Sequence, residues 1–292
     1  MRVRVAAWVA GIVLFAVAPD NIGGAGASDR PERVTFASAD GRTTLVGYVF
    51  KPARMPATRL PAIVMMHGRA GAYSSAANGV YGASTLSQRH AMWGELWAEQ
   101  GYVAVLVDGF GPRGHPRGFP RFSYATRPRE LDEMTVRPLD AYGALAYLRT
   151  RPDVRGDRIG LMGWSNGASA ALATMSTDAP GIAAPTPATG FRAALVFYPA
   201  CGLRGRFEDG YRPYAPVRVF HGTADEEVSP RLCGALVEKS RSLGGDIAIR
   251  LYEGATHGFD DPGRKRQRLP ANAAALQDSV GRALRFFARE LK

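Results

Sequence analysis

Lysine is nearly missing from this chain. Only Lys51, Lys239, Lys265 and Lys292 occur, so 33 of the 37 basic residues are arginine, against 26 acidic ones, for a net charge of +11. The arginines are scattered along the chain, whereas an electrostatic footprint for nucleic acid needs clustering as well as sign, so no nucleic-acid partner is expected. Cysteine is scarce too. Cys201 and Cys233 are the whole complement, too few for a four-ligand structural zinc site, and no metal or organic cofactor is implied. Internal repeats, low-complexity tracts and an interdomain linker are also lacking, and this excludes solenoids and arrays.

No apolar run reaches the roughly 20 residues that span a bilayer. The longest, residues 5–18, follows Arg2 and Arg4 and leads into small residues ending Ala25-Gly26-Ala27. This is the order of a secretory signal, with cleavage after Ala27 rather than Ala18, where Pro19 would become the first mature residue. Residues 1–27 are therefore expected to be removed. Losing Arg2, Arg4 and Asp20 takes the charge from +11 to +10. The mature chain, residues 28–292, is expected in the periplasm or outside the cell, with no stable membrane insertion. Export would oxidise Cys201 and Cys233 if the fold brings them within reach, which their spacing does not decide.

What remains is a core-forming composition, 46% hydrophobic and 22% charged. Extended runs at 33–38 and 44–50 flank Asp40-Gly41 and predict an opening antiparallel hairpin. Apolar runs of strand length follow at 62–66, 103–107, 159–162, 193–197, 217–220 and 247–252. They are continuous rather than alternating, as strands buried on both faces require. Helical patterns lie between them, at 87–100, 139–148, 168–175 and 230–243, and the C-terminal stretch from Leu276 to Leu291 repeats one apolar stripe. The expected fold is thus a single α/β domain: a doubly wound, mostly parallel sheet of about eight strands with the hairpin at its N-terminal end. Irregular segments at 69–84, 109–129 and 198–216 should rim a ligand site, and none is long enough to fold into a large cap.

Gly163-Trp164-Ser165-Asn166-Gly167 sits between a strand and a helix. With 34 glycines, chance alone yields about 0.2 such pentapeptides, so the pattern gains its weight from that setting. Ser165 needs a base and an orienting carboxylate. Of the five histidines, His90 falls in a helix, His221 closes a strand, and His67 opens a loop in which its backbone matters more, which leaves His115 and His257. His257, just after the last strand, hangs over the carboxyl edge of the sheet and is the candidate base. Asp225, in the turn after the penultimate strand, is the candidate carboxylate. Glu226 and Glu227 are its rivals, or simply the acidic first turn of the next helix, and Asp225 also suits a structural turn. His67-Gly68-Arg69 directly follows a strand, so the main-chain N–H groups of Arg69 and Asn166 are the candidate oxyanion donors, worth on the order of 3 kcal/mol each.

These motifs, in the order Ser165, Asp225, His257, resemble the α/β-hydrolase superfamily. Gly101-Tyr102-Val103, the run Asp108-Gly109-Phe110-Gly111-Pro112-Arg113-Gly114 and the segment 221–228 resemble, more narrowly, the dienelactone hydrolase family. The resemblance implies an α/β-hydrolase fold, Asp108 and Arg113 shaping the loop beside the site, and hydrolysis of a small-molecule ester. It also implies a bridge between Cys201 and Cys233, because exported relatives pair cysteines near these positions. The namesake enzyme of the family uses a cysteine nucleophile where this chain has Ser165, so an ester is implied without dienelactone itself. The same core also serves serine peptidases of the prolyl oligopeptidase type, whose large gating domain has no counterpart here, and non-catalytic binding proteins. Arginines 113, 117, 121, 127 and 129 on the rim would suit a carboxylate-bearing acyl group or simply solvent, and Trp164, Phe110 and Tyr198 an acyl pocket or ordinary packing.

Overall fold

The computed structural model describes residues 31–202 and 205–292, so the expected signal segment lies outside the described residues. One eight-stranded sheet organises the chain, in the order β1-β2-β4-β3-β5-β6-β7-β8. The hairpin is β1 (Glu32–Ala37) and β2 (Thr44–Phe50), and β2 runs antiparallel to β4 (Val103–Asp108). From there the sheet is parallel through β3 (Leu60–Met66), β5 (Val154–Trp164), β6 (Ala194–Phe197), β7 (Val217–Gly222) and β8 (Ile247–Tyr252). Every residue of β3, β4 and β6 is buried, as their unbroken apolar sequences demand, whereas β1 buries little.

Helices cover both faces. On one face α2 (Arg137–Thr150), α3 (Asn166–Met175) and α4 (Pro230–Ser242) enclose a core that includes Leu145, Leu172 and Leu236. The other face packs α1 (Gln88–Glu99) and α6 (Pro270–Leu291) over an aromatic core of Trp93, Trp97, Trp164, Phe197 and Phe287, and the short α5 (Arg264–Gln267) leads into α6. Local chemistry sets the boundaries. The Ser87 hydroxyl accepts from the His90 N–H at the start of α1, and Ser229 caps α4 in the same way with Pro230 in its first turn. At the end of α2, Arg151 is extended, as the residue before Pro152 must be.

Two elements extend more than two residues beyond the sequence reading. β5 begins at Val154, because the polar stretch Arg155 to Arg158 continues the strand outside the core, and α6 begins at Pro270, six residues before the first apolar position of its stripe. Cys201, in the loop after β6, is disulfide-bonded to Cys233 of α4 with 4.9 Å between their Cα atoms. Among the described residues no helix is long and apolar enough to cross a membrane.

Candidate active site

Ser165 stands on a sharp turn between β5 and α3. Its backbone lies at φ 53° and ψ −116°, a left-handed conformation that a non-glycine residue adopts only where its surroundings compel it. The flanking glycines make that turn sterically feasible. A Cβ on Gly163 would run into the carbonyl of Gly167, and one on Gly167 into the carbonyls of Met66 and His67. The start of α3 directly behind Ser165 adds the positive end of the helix dipole.

Loops from three strands converge on this hydroxyl. His257, five residues beyond β8, places Nε2 3.1 Å from Ser165 Oγ and Nδ1 2.8 Å from Asp225 Oδ2. Asp225, in the turn after β7, uses its other oxygen to accept the N–H groups of Glu227 and Val228, each at 2.9 Å. The turn role and the partner role anticipated for Asp225 are thus filled by different oxygens of one side chain. Burial alone would raise its pKa. The hydrogen bond and charge of His257, with the two amides, outweigh burial and hold the carboxyl below its ordinary value. Ser165 and His257 are each 7% exposed and Asp225's side chain is fully buried, so the chain Ser165–His257–Asp225 is largely shielded from water. The Tyr198 ring packs against the imidazole with centroids 4.6 Å apart.

Gly68 lies against the Ser165 turn, where a Cβ would meet the Trp164 carbonyl at 3.2 Å and Ser165 Cβ at 3.4 Å. The backbone N–H groups of Arg69 and Asn166 flank this point, and neither donates to a backbone or side-chain acceptor among the described residues. The loop carrying Arg69 is held on two sides. His67 is fully buried: Nδ1 donates to the Gly68 carbonyl at 2.7 Å, and Nε2 accepts from the Gly109 N–H at 3.3 Å. Those roles fix one neutral tautomer, and burial together with the nearby Arg137 pushes the His67 pKa well down.

On the other side Arg137, also fully buried, donates to the His67 carbonyl at 2.8 Å and to Asn166 Oδ1 at 2.5 Å. The Asn166 amide in turn donates to Glu133 Oε2 at 2.9 Å. One guanidinium thus ties both flanks of the candidate oxyanion site together. Asp108 and Arg113 shape the neighbouring loop: Asp108 Oδ1 accepts the N–H groups of Phe110 and Gly111, and Arg113 clamps Asp140 through both terminal nitrogens while reaching the Gly109 carbonyl.

Several side chains sit differently from the simplest expectation. The Arg69 side chain is paired with Glu227 and donates to the Phe119 carbonyl. Trp164, Phe110 and Tyr198 are at most 1% exposed and belong to the packing rather than to an acyl pocket. Sequence reasoning missed Arg137, Glu133 and Asp260. The Asp260 carboxylate, fully buried, accepts from the indoles of Trp93 and Trp164 and from the Tyr198 hydroxyl, with Arg89 3.2 Å away. It therefore joins the strand end before Ser165, the ring beside His257 and the His257 loop itself. Its only sequence signal is its place three residues after His257. Among the described residues no group of three or more His, Cys, Asp or Glu is arranged to hold a metal ion.

This architecture has known counterparts. A metagenomic dienelactone hydrolase-like promiscuous phosphotriesterase, P91, superposes with a TM-score of 0.65 at 19% identity, over 91% of this chain and all of that one. Esterase 2 of Thermogutta terrifontis does so with a TM-score of 0.63 at 23% identity, over 93% of this chain and 96% of that one. A probable 2-oxo-3-(5-oxofuran-2-ylidene)propanoate lactonase from Bradyrhizobium sp is 25% identical over 232 residues, 76% of this chain and 82% of that protein. The model of the dienelactone hydrolase family matches residues 45–291, which takes in every strand but the first and all the residues gathered around Ser165, and the chain belongs to that family.

Proposed function

We propose that this hydrolase cleaves carboxylic esters through an acyl-enzyme formed on Ser165. The observation that carries the reading is the unbroken hydrogen-bond chain from Ser165 Oγ through His257 to Asp225, at 3.1 and 2.8 Å. His257 Nε2 takes the hydroxyl proton as Oγ attacks the ester carbonyl, and Asp225 holds the imidazole so that Nε2 faces the nucleophile. The carbonyl oxygen, gaining charge, meets the N–H groups of Arg69 and Asn166. The imidazolium then gives its proton to the leaving alcohol, and a water activated at Nε2 releases the acid and restores the serine.

The relatives suggest where to look for substrates. The lactonase is named for a cyclic ester, and the Thermogutta esterase has been crystallised with propionate and with butyrate bound, and phosphorylated by paraoxon. Short acyl esters and lactones are therefore the first compounds to try. A p-nitrophenyl phosphonate should label the protein once, on the peptide carrying Ser165, with loss of esterase activity in step. Full labelling that leaves turnover untouched, or an adduct on another residue, would move the chemistry elsewhere.

We also propose export to the periplasm or beyond, supported by the leader-like segment 1–27 and by a Cys201–Cys233 bridge of the kind that oxidising compartments sustain. The bridge closes a loop with a sequence separation of 32, which in the chain-entropy treatment contributes about 3.7 kcal/mol. Replacing both cysteines by serine should lower the thermal midpoint by about 10 °C. Calorimetry showing a change within about 2 °C would mean that the bridge adds little constraint.

A further inference from the structure

Glu226 and Glu227 read in the sequence as rivals of Asp225 or as a solvated helix turn, and the structure gives them another place. Three consecutive acidic side chains meet His257 from three directions. Asp225 takes Nδ1, Glu226 Oε2 accepts the His257 main-chain N–H at 2.9 Å, and Glu227 Oε2 lies 3.7 Å from Nε2, the nitrogen that faces Ser165. Glu227 also grips the loop on the far side of the nucleophile. Its two oxygens accept from Arg69 Nε and Nη2, both at 3.0 Å, and Arg121 Nε adds a contact at 2.8 Å. The Glu227 side chain is 8% exposed, so this is not the solvent-screened surface pair whose contribution is close to nil.

We infer that Glu227 is a positioning residue of the reaction: it ties the Arg69 loop to the His257 loop and sets a negative charge at the edge of the imidazole that receives the serine proton. The inference rests on the esterase reading above. When Nε2 takes the proton the ring becomes an imidazolium, and an anion 3.7 Å away favours that state over the neutral ring. The carboxylate is ionised under working conditions. Burial would raise its pKa, but the Arg69 hydrogen bonds, with the charges of His257 and Arg121, hold it below the ordinary glutamate value. Arg69 and Arg121 offset part of its field, which keeps the expected effect moderate.

The other groups facing the imidazole are Ser165, Asp225 and the Tyr198 ring, whose hydroxyl is turned to Asp260. His221 stands behind Asp225, Arg266 reaches Glu226 and the Thr256 hydroxyl, and Arg89 reaches the Gly258 carbonyl, Asp260 and Asp261. Glu227 is therefore, after Asp225, the carboxylate best placed to act on the ring.

The full chain, hydrolysing p-nitrophenyl acetate, tests this with kcat, KM, the pH–rate profile and the thermal midpoint measured together, and Ser165→Ala as the control. Glu227→Gln keeps the shape of the side chain and removes its charge. It should lower kcat about tenfold with KM within about twofold. It should also move the acidic limb of kcat/KM to lower pH by about half a unit, less than the roughly one to three units of an unshared opposite charge. Glu227→Asp should restore the limb but, one methylene shorter, not the whole of kcat. A Glu227→Gln enzyme with wild-type kcat and limb, or one whose kcat falls only in step with its thermal midpoint while the limb stays in place, would overturn the inference and leave the esterase reading standing. Undiminished turnover by Ser165→Ala would overturn both.

Discussion

With alanine in place of Ser165, kcat for a short-chain p-nitrophenyl ester is expected to fall by about six orders of magnitude while the protein stays folded. The substitution removes one oxygen and leaves the turn as it is. Ser165 holds φ 53° because Gly163 and Gly167 let the backbones of β5, α3 and the β3 loop approach, and none of that depends on its hydroxyl. His257 keeps Asp225, and the N–H groups of Arg69 and Asn166 keep their places, so a residual rate of about 10³ over water should survive from the oxyanion site and binding alone. Steady-state assays alongside circular dichroism and thermal melting separate loss of chemistry from loss of fold. A variant that keeps its melting point and loses less than about tenfold in kcat would show that Ser165 is not the nucleophile.

Asp225→Asn should lower kcat by about four orders of magnitude. Asparagine preserves shape and an acceptor oxygen, so the bonds from the Glu227 and Val228 amides, and with them the turn after β7, can persist. The atom facing His257 Nδ1 then becomes an amide nitrogen, which donates. The imidazole answers by placing its proton on Nε2, the position that must be free to accept from Ser165 Oγ at 3.1 Å. The base is present and in place but in the wrong tautomer. Because Asp225 is ionised and its carboxyl pKa is held down, the loss should persist at every pH at which the fold is stable, unlike a defect cured by raising pH. The measurement is kcat across pH together with the thermal midpoint. An Asp225→Asn enzyme within about a hundredfold of wild type would assign the carboxylate role to Glu226 or Glu227 instead.

Much of this arrangement could be read in the chain because it depends on short-range signals. β3 and β4 are uninterrupted apolar runs and lie buried along their whole length, and β8 has the predicted limits 247–252. Ser165, Asp225 and His257 each sit just past the carboxyl end of a recognisable strand, where parallel sheets gather their functional loops.

What stayed hidden depends on partners distant in sequence. Arg137 looks like one more solvated arginine, yet it lies in the core because His67 and Asn166, 70 and 29 residues away, present it with acceptors. Asp260 is buried only because Trp93, Trp164 and Tyr198 all aim donors at one point. Tyr198 and Phe110 were ambiguous between pocket wall and packing, since an aromatic residue next to a glycine- or proline-rich loop has the same local signature in both roles. Similarly, Arg69 shows no sign of its pairing with Glu227, 158 residues on. The first half of β5 was missed for a different reason. Its residues 155–158 bulge out between two pairings with β3, Val154 opposite Leu60 and Ile159 opposite Ala62, and none of them is fully buried, so apolar patterning carries no trace of them.

The most direct test of the account is mass spectrometry of the protein quenched in acid during turnover of p-nitrophenyl butyrate. It should reveal a butyryl group on the peptide that contains Ser165, present in wild type, absent in Ser165→Ala, and lost on the timescale of steady-state turnover. An active enzyme that carries no acyl group at any quench time, or carries it on a different residue, would contradict the mechanism.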